Sequence, residues 1–308
     1  MKPNPFSLSL ISSKIILFPF ESTEYIWNYY FYQDGSIDFE IRLTGILQIY
    51  VSKDNDEPTP YGVKVAPNLN AQYHQHMFSI RIDPMIDGLK NSVVETDVIS
   101  LPNAPTGSAA NYAGNAFLTR DTVIKKESGR KYEYDKERRW RIINSGKKHY
   151  SSGLAVGYTL GVKGGATPMM VRPDSWVGRR ASFLRNTVWV CRDVEGGDDH
   201  DNGNSASGSL RMWPAGKYVP QTREEPKDSV GSWVEGEMGV EDEDILVYLT
   251  VGKELLWAFL IFWIMMILML LFFFYRDDSY SSPRGLASVS FSIIQHGISI
   301  SNTDPRST

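Results

Sequence analysis

The chain has 308 residues, a formal net charge of −4, 42% hydrophobic residues and 12% aromatic residues. That is enough apolar surface for a sizeable core, which excludes global disorder, and the mild acidity argues against a nucleic-acid partner, which would need a basic face. The single cysteine, Cys191, excludes an intramolecular disulfide and disfavours a cysteine-based zinc cluster.

Residues 1–20 show no clear period. Pro19 and the lack of a small-residue cleavage site make them a poor signal peptide. Residues 21–252 carry strand signals throughout. Ser36–Leu43 alternates polar and apolar residues, and Asp34-Gly35 separates it from Tyr30-Phe31-Tyr32 as a tight hairpin turn. Ile46–Val51 reads as a continuing strand, followed by Met77–Ile82, Thr187–Val190 and Ile245–Leu249. Nothing with sustained helical spacing precedes residue 253, so the expected class is mostly β, an antiparallel β-sandwich. Lys125–Lys148 is locally basic and reads as a solvated face. Val194–Ser209 is polar and of low complexity, which predicts a long loop, and Gly164-Gly165 predicts a turn.

Leu255–Tyr275 is an unbroken apolar and aromatic run. Roughly 20 such residues cross a bilayer core, so residues 253–275 are expected to form an apolar, transmembrane helix. The flanking charges are too balanced to set a topology. Residues 276–308 are Ser-rich and read as a loose polar tail.

Tyr73-His74-Gln75-His76 is the sharpest chemical feature. In a strand, positions i and i+2 share a face, so His74 and His76 can converge on one ion, and imidazoles suit copper and zinc. Taken alone, the pattern also fits two satisfied histidines. The other histidines are His149, His200 and His296, and His200 lies among Asp198, Asp199 and Asp201. Asp83 and Asp87, with the acidic run Glu241–Asp244, offer oxygen ligands for a hard cation or simply an exposed acidic loop. There is no phosphate loop, dinucleotide fingerprint or nucleophile elbow.

Several ordered segments resemble the copper amine oxidases. They are Thr23–Ile26, Phe31–Ile37, Leu43–Leu47, Val65–Phe78 and Arg81–Asp83, then Gly157-Tyr158, Arg179–Ala181, Leu184–Val190, Trp213–Tyr218 and Glu243–Leu246. The resemblance runs from about Glu21 to Gly252 and implies a partial catalytic β-sandwich (supersandwich) domain, incomplete at both ends. It implies that His74 and His76 are two of three copper ligands. It also implies that Asp83 and Asp244, with the main-chain carbonyl of Ile245, belong to a peripheral calcium site, although Met85 stands where a further acid is expected.

The same resemblance implies a topaquinone cofactor made from a tyrosine, and Thr23 occupies the aligned position. A threonine has no ring to oxidise. The third copper histidine is expected in a Gly-x-x-His context, yet Gly252 is followed by Lys253-Glu254-Leu255. The general-base aspartate belongs to sequence upstream of this match. Residues 1–20 and 253–308 are therefore expected to replace family sequence, with the apolar run read as translated intron or, alternatively, as a true anchor. The implied reaction is oxidative deamination of primary amines by O2 to aldehyde, ammonia and H2O2, in a homodimer. This chain is expected to be inactive alone. The alternative is a non-catalytic, membrane-tethered β domain that binds metal or dimerises. The expected location is the membrane if the run is genuine, and otherwise the cytoplasm or peroxisome.

Overall fold

A computed structural model describes residues 10–12, 23–32, 35–45, 49–51, 61–101, 103–163, 169–194, 211–216, 223–254 and 287–296. The strands in chain order are β1 (Leu10–Ser12), β2 (Thr23–Phe31), β3 (Ile37–Gly45), β4 (Ile49–Val51), β5 (Gly62–Ala66), β6 (Leu69–Gln72), β7 (Gln75–Ile82) and β8 (Ser92–Ser100). They continue with β9 (Phe117–Val123), β10 (Ser128–Arg130), β11 (Arg139–Lys148), β12 (Ala155–Lys163), β13 (Val188–Arg192), β14 (Ile245–Glu254) and β15 (Ala287–His296). Among the described residues helix is confined to short pieces, chiefly α1 (Trp176–Arg180) and α2 (Val230–Trp233).

Three antiparallel sheets result. One has eight strands in the order β1-β2-β3-β15-β12-β11-β8-β9, a second runs β10-β13-β14-β7, and a third runs β4-β6-β5. The mostly β, antiparallel class expected from the sequence is what the structure has. The hairpin of β2 and β3 forms as read, with Phe31 opposite Ile37 and the Gly35 N–H donated to the Tyr32 carbonyl at 3.1 Å, while Asp34 lies outside the described residues. Gly35 takes a φ of 81° there, which a residue without Cβ adopts freely.

The first two sheets face each other. Phe39 and Ile41 of β3, Trp140 and Ile142 of β11 and Leu160 of β12 meet Val188 and Val190 of β13 and Ile245, Val247, Leu249 and Val251 of β14. The alternate residues of the inner strands, Trp189, Cys191, Leu246 and Tyr248, are also buried, under α2 and Val230. Strands covered on both faces lose the polar half of the alternation, which is why Ile245–Leu249 reads as a continuous apolar run. Burial pushes the Cys191 thiol up to about 12. It therefore stays protonated and unreactive.

Several sequence expectations need correction. Ile49–Val51 does not continue β3; it pairs with β6 in the third sheet. Ala287–His296, expected in a loose tail, forms a strand between β3 and β12. The alternation of Val289, Phe291 and Ile293 with serines carried that signal inside a Ser-rich composition. Leu10–Ser12 pairs with β2, although residues 1–20 showed no period. The apolar run 255–275, the loop 195–210 and Gly164-Gly165 lie outside the described residues. Among the described residues no helix is long and apolar enough to cross a membrane.

Lys125–Lys148 is not merely a solvated face. Its Arg138 sits with an 11% exposed side chain between Asp97, at 2.7 Å, Glu95, at 3.4 Å, and Glu133, at 3.1 Å. Hydrogen bonds from Arg138 hold the Asp97 carboxyl below the usual carboxylate range. A lowered carboxyl pKa contributes stability that is present above the unfolded value of about 3.9 and is lost as pH falls through the folded value. Asp97→Asn is expected to cost about 2 kcal/mol at neutral pH. Thermal unfolding at stepped pH should show that gap closing as pH falls below the ordinary carboxylate range. A gap independent of pH would refute the assignment.

Candidate metal centre

Two residues, Tyr73 and His74, join β6 to β7, and His76 is the second residue of β7. The two imidazole rings lie on one side of the chain, their centroids 4.9 Å apart. The pair converges although His74 stands one residue outside β7, in the connection from β6. His74 Nδ1 is 3.0 Å from the carbonyl oxygen of Gln72, which leaves its Nε2 uncommitted to that bond. His76 Nδ1 is 2.9 Å from the Tyr25 hydroxyl. His76 Nε2 is buried and meets no hydrogen-bond partner among the described residues.

Tyr25 comes from β2 in the opposite sheet. Its ring packs edge-on against His76 at 5.7 Å and against Phe78 at 5.7 Å, and Trp27 meets Phe78 at 5.4 Å. Trp27 and Phe78 in turn pack against the hydrophobic core. Burial pushes the His76 imidazole below its ordinary value, with the neighbouring His74 adding to the effect. A neutral imidazole is the form that coordinates a metal. An orphaned, buried, neutral ring nitrogen beside a second imidazole is a set of donors that fits copper.

The remaining candidates fall in three places. Thr23 opens β2 opposite Gly45, two register positions before Tyr25. Lys253 lies directly opposite His76 in the β14–β7 ladder, so the chain leaves β14 beside the histidine pair. His149 is occupied in a turn, where its Nδ1 accepts from the backbone N–H groups of Ser151 at 3.3 Å and Ser152 at 3.4 Å. His296 ends β15 opposite Gly157, and His200 lies outside the described residues.

Asp83 and Asp244 do come together, and Asp193 joins them; one carboxylate oxygen from each lies within 4.8 Å of the others. The topology explains this, since β7 and β13 end, and antiparallel β14 begins, at the same edge. Asp193 donates its backbone N–H to the Asp244 carbonyl at 2.9 Å. Asp193 was missed because only the pairing of β13 with β14 brings it near. Ile245 opens β14 with a buried side chain, so only its main-chain oxygen can serve a cation. Asp83 is also held by Arg81 at 3.0 Å, a partner that an incoming cation must displace. Asp87 adopts a φ of 51° in the turn beyond and is not part of this group. Of the acidic run, Glu241 pairs with Lys125 at 3.3 Å and Glu243 with Arg192 at 2.8 Å.

A family model described as copper amine oxidase, enzyme domain, matches residues 21–254. The chain belongs to the copper amine oxidase family. It is 38% identical over 249 residues to copper amine oxidase 1 of Schizosaccharomyces pombe, covering 80% of this chain and 32% of that protein. It is 36% identical over 255 residues to the peroxisomal primary amine oxidase of Pichia angusta, covering 80% of this chain and 34% of that protein. The copper amine oxidase chain thus spans about a third of the length of these curated relatives. Its fold matches the crystal structure of a copper-containing benzylamine oxidase from Hansenula polymorpha with a TM-score of 0.68 at 24% identity, covering 94% of this chain and 38% of that one.

Proposed function

We propose that this chain serves in the oxidation of primary amines as the copper-holding part of an amine oxidase, with His74 and His76 as two of the ligands. The observation that carries the reading is His76 Nε2, buried beside the His74 ring and without a hydrogen-bond partner among the described residues. Such an atom is costly unless something binds it. Bound copper would supply a redox-active centre at which O2 is handled. The protein's own part is to hold two imidazoles in fixed orientations, with His76 Nε2 on the buried side. The overall reaction of the family converts a primary amine, O2 and water to aldehyde, ammonia and H2O2.

Thr23 favours a second reading, a β domain that holds metal without turnover. A side chain without an aromatic ring cannot become a quinone, so the residues present do not fit topaquinone. A calcium ion among Asp83, Asp193, Asp244 and the Ile245 carbonyl completes the proposal, weakened by Met85 where a further acid is expected and by the Arg81 contact.

One preparation of the full chain tests these readings together. Metal analysis after dialysis should find stoichiometric copper, with calcium as a second ion. Quinone staining, and peroxide release with a panel of primary amines, should be negative. Quinone and peroxide together would mean that another residue supplies the cofactor. Failure to take up copper would remove the proposal.

A further inference from the structure

A metal ligand is only as well placed as the group that holds its other nitrogen. For His76 to offer Nε2 to a metal, the ring proton must sit on Nδ1, and a buried N–H needs an acceptor. The oxygen that meets it is the Tyr25 hydroxyl at 2.9 Å, fifty-one residues away in sequence and on the opposite sheet. His74 solves the same problem locally, through the Gln72 carbonyl at 3.0 Å. The two imidazoles therefore differ in how they are anchored, one by main chain and one by a phenol that can be changed.

We propose that Tyr25 is a positioning residue for the metal, its hydroxyl accepting the His76 Nδ1 proton so that Nε2 points at the ion. This rests on the reading of His74 and His76 as a metal pair. In the opposite tautomer, with the hydroxyl donating to Nδ1, the Nε2 proton would be buried without an acceptor. The edge-on packing of Tyr25 on His76, 68° between planes, adds a steric limit on ring rotation. The ring contact with Phe78 keeps Tyr25 itself in place. Hydroxyl and ring thus have separable tasks, which allows a clean test.

Tyr25→Phe keeps the packing and deletes only the acceptor. Copper affinity should be measured by competition with a chelator, and the copper site by electron paramagnetic resonance, for wild type, Tyr25→Phe and His76→Ala. Tyr25→Phe is expected to bind about 10–100-fold more weakly than wild type. Its altered hyperfine pattern should accompany only a small fall in the thermal midpoint of the metal-free protein, which loses one buried hydrogen bond. His76→Ala is expected to bind more weakly still. Wild-type affinity and an unchanged spectrum in Tyr25→Phe would overturn the role of Tyr25 while leaving the metal pair intact. Absence of copper uptake by wild type would overturn the metal pair, and this proposal with it.

Discussion

His76→Ala is expected to lower copper affinity by more than about 100-fold, beyond the roughly 10–100-fold typical of losing a residue that only orients a ligand. The substitution removes the one ring nitrogen among the pair that is both buried and unpartnered. It also leaves a gap beside Tyr25, whose ring packs edge-on against it. The two effects separate experimentally. Copper competition titration reads the first, and thermal unfolding of the metal-free chain reads the second, which should be modest because an unsatisfied polar atom leaves with the ring. His149→Ala is the control, since that imidazole is spent on a turn. Equal copper uptake by wild type and His76→Ala would remove the site.

Glu127→Ala is expected to be the most destabilising of the proposed substitutions, by about 3–5 kcal/mol. The Glu127 side chain is 0% exposed and takes Arg211 Nη1 at 2.6 Å. It also accepts the backbone N–H groups of Arg192 at 2.9 Å and Met238 at 3.3 Å. Arg211 is committed to this arrangement. It holds a φ of 41°, reaches the Arg192 carbonyl at 2.8 Å, lies 5.6 Å over the Trp233 ring and receives the Tyr248 hydroxyl on its own carbonyl. Burial keeps the Tyr248 phenol protonated and so able to donate. Alanine at 127 would leave the guanidinium enclosed without its carboxylate, with only the Arg192 carbonyl to receive it, and would leave the Arg192 and Met238 backbone N–H groups without their acceptor. Urea denaturation should show a lower midpoint with an unchanged slope. Pairing Glu127→Leu with Arg211→Met should recover part of the loss, because it removes the uncompensated charge while the Arg192 and Met238 backbone donors stay unmet. A single-variant effect below about 1 kcal/mol would mean that the pair is not enclosed as described.

The mostly β class, the strands at Ser36–Leu43, Met77–Ile82 and Ile245–Leu249, the hairpin before Ile37 and the closeness of His74 to His76 were legible in the residues alone. Alternation, turn chemistry and the i, i+2 rule all act over a few positions of chain. The resemblance to the copper amine oxidases rested on equally local runs, and it drew attention to Thr23, Asp83 and Asp244. What the chain could not announce was which strands become neighbours. Tyr25 reaches His76 only because the two sheets face each other, Asp193 joins Asp83 and Asp244 only because β7, β13 and β14 share an edge, and Glu127 meets Arg211 eighty-four residues away. Such contacts depend on apolar faces choosing one another during packing. That selection is collective and leaves no mark in any short stretch of sequence, so the donors came from the sequence and their partners from the tertiary structure.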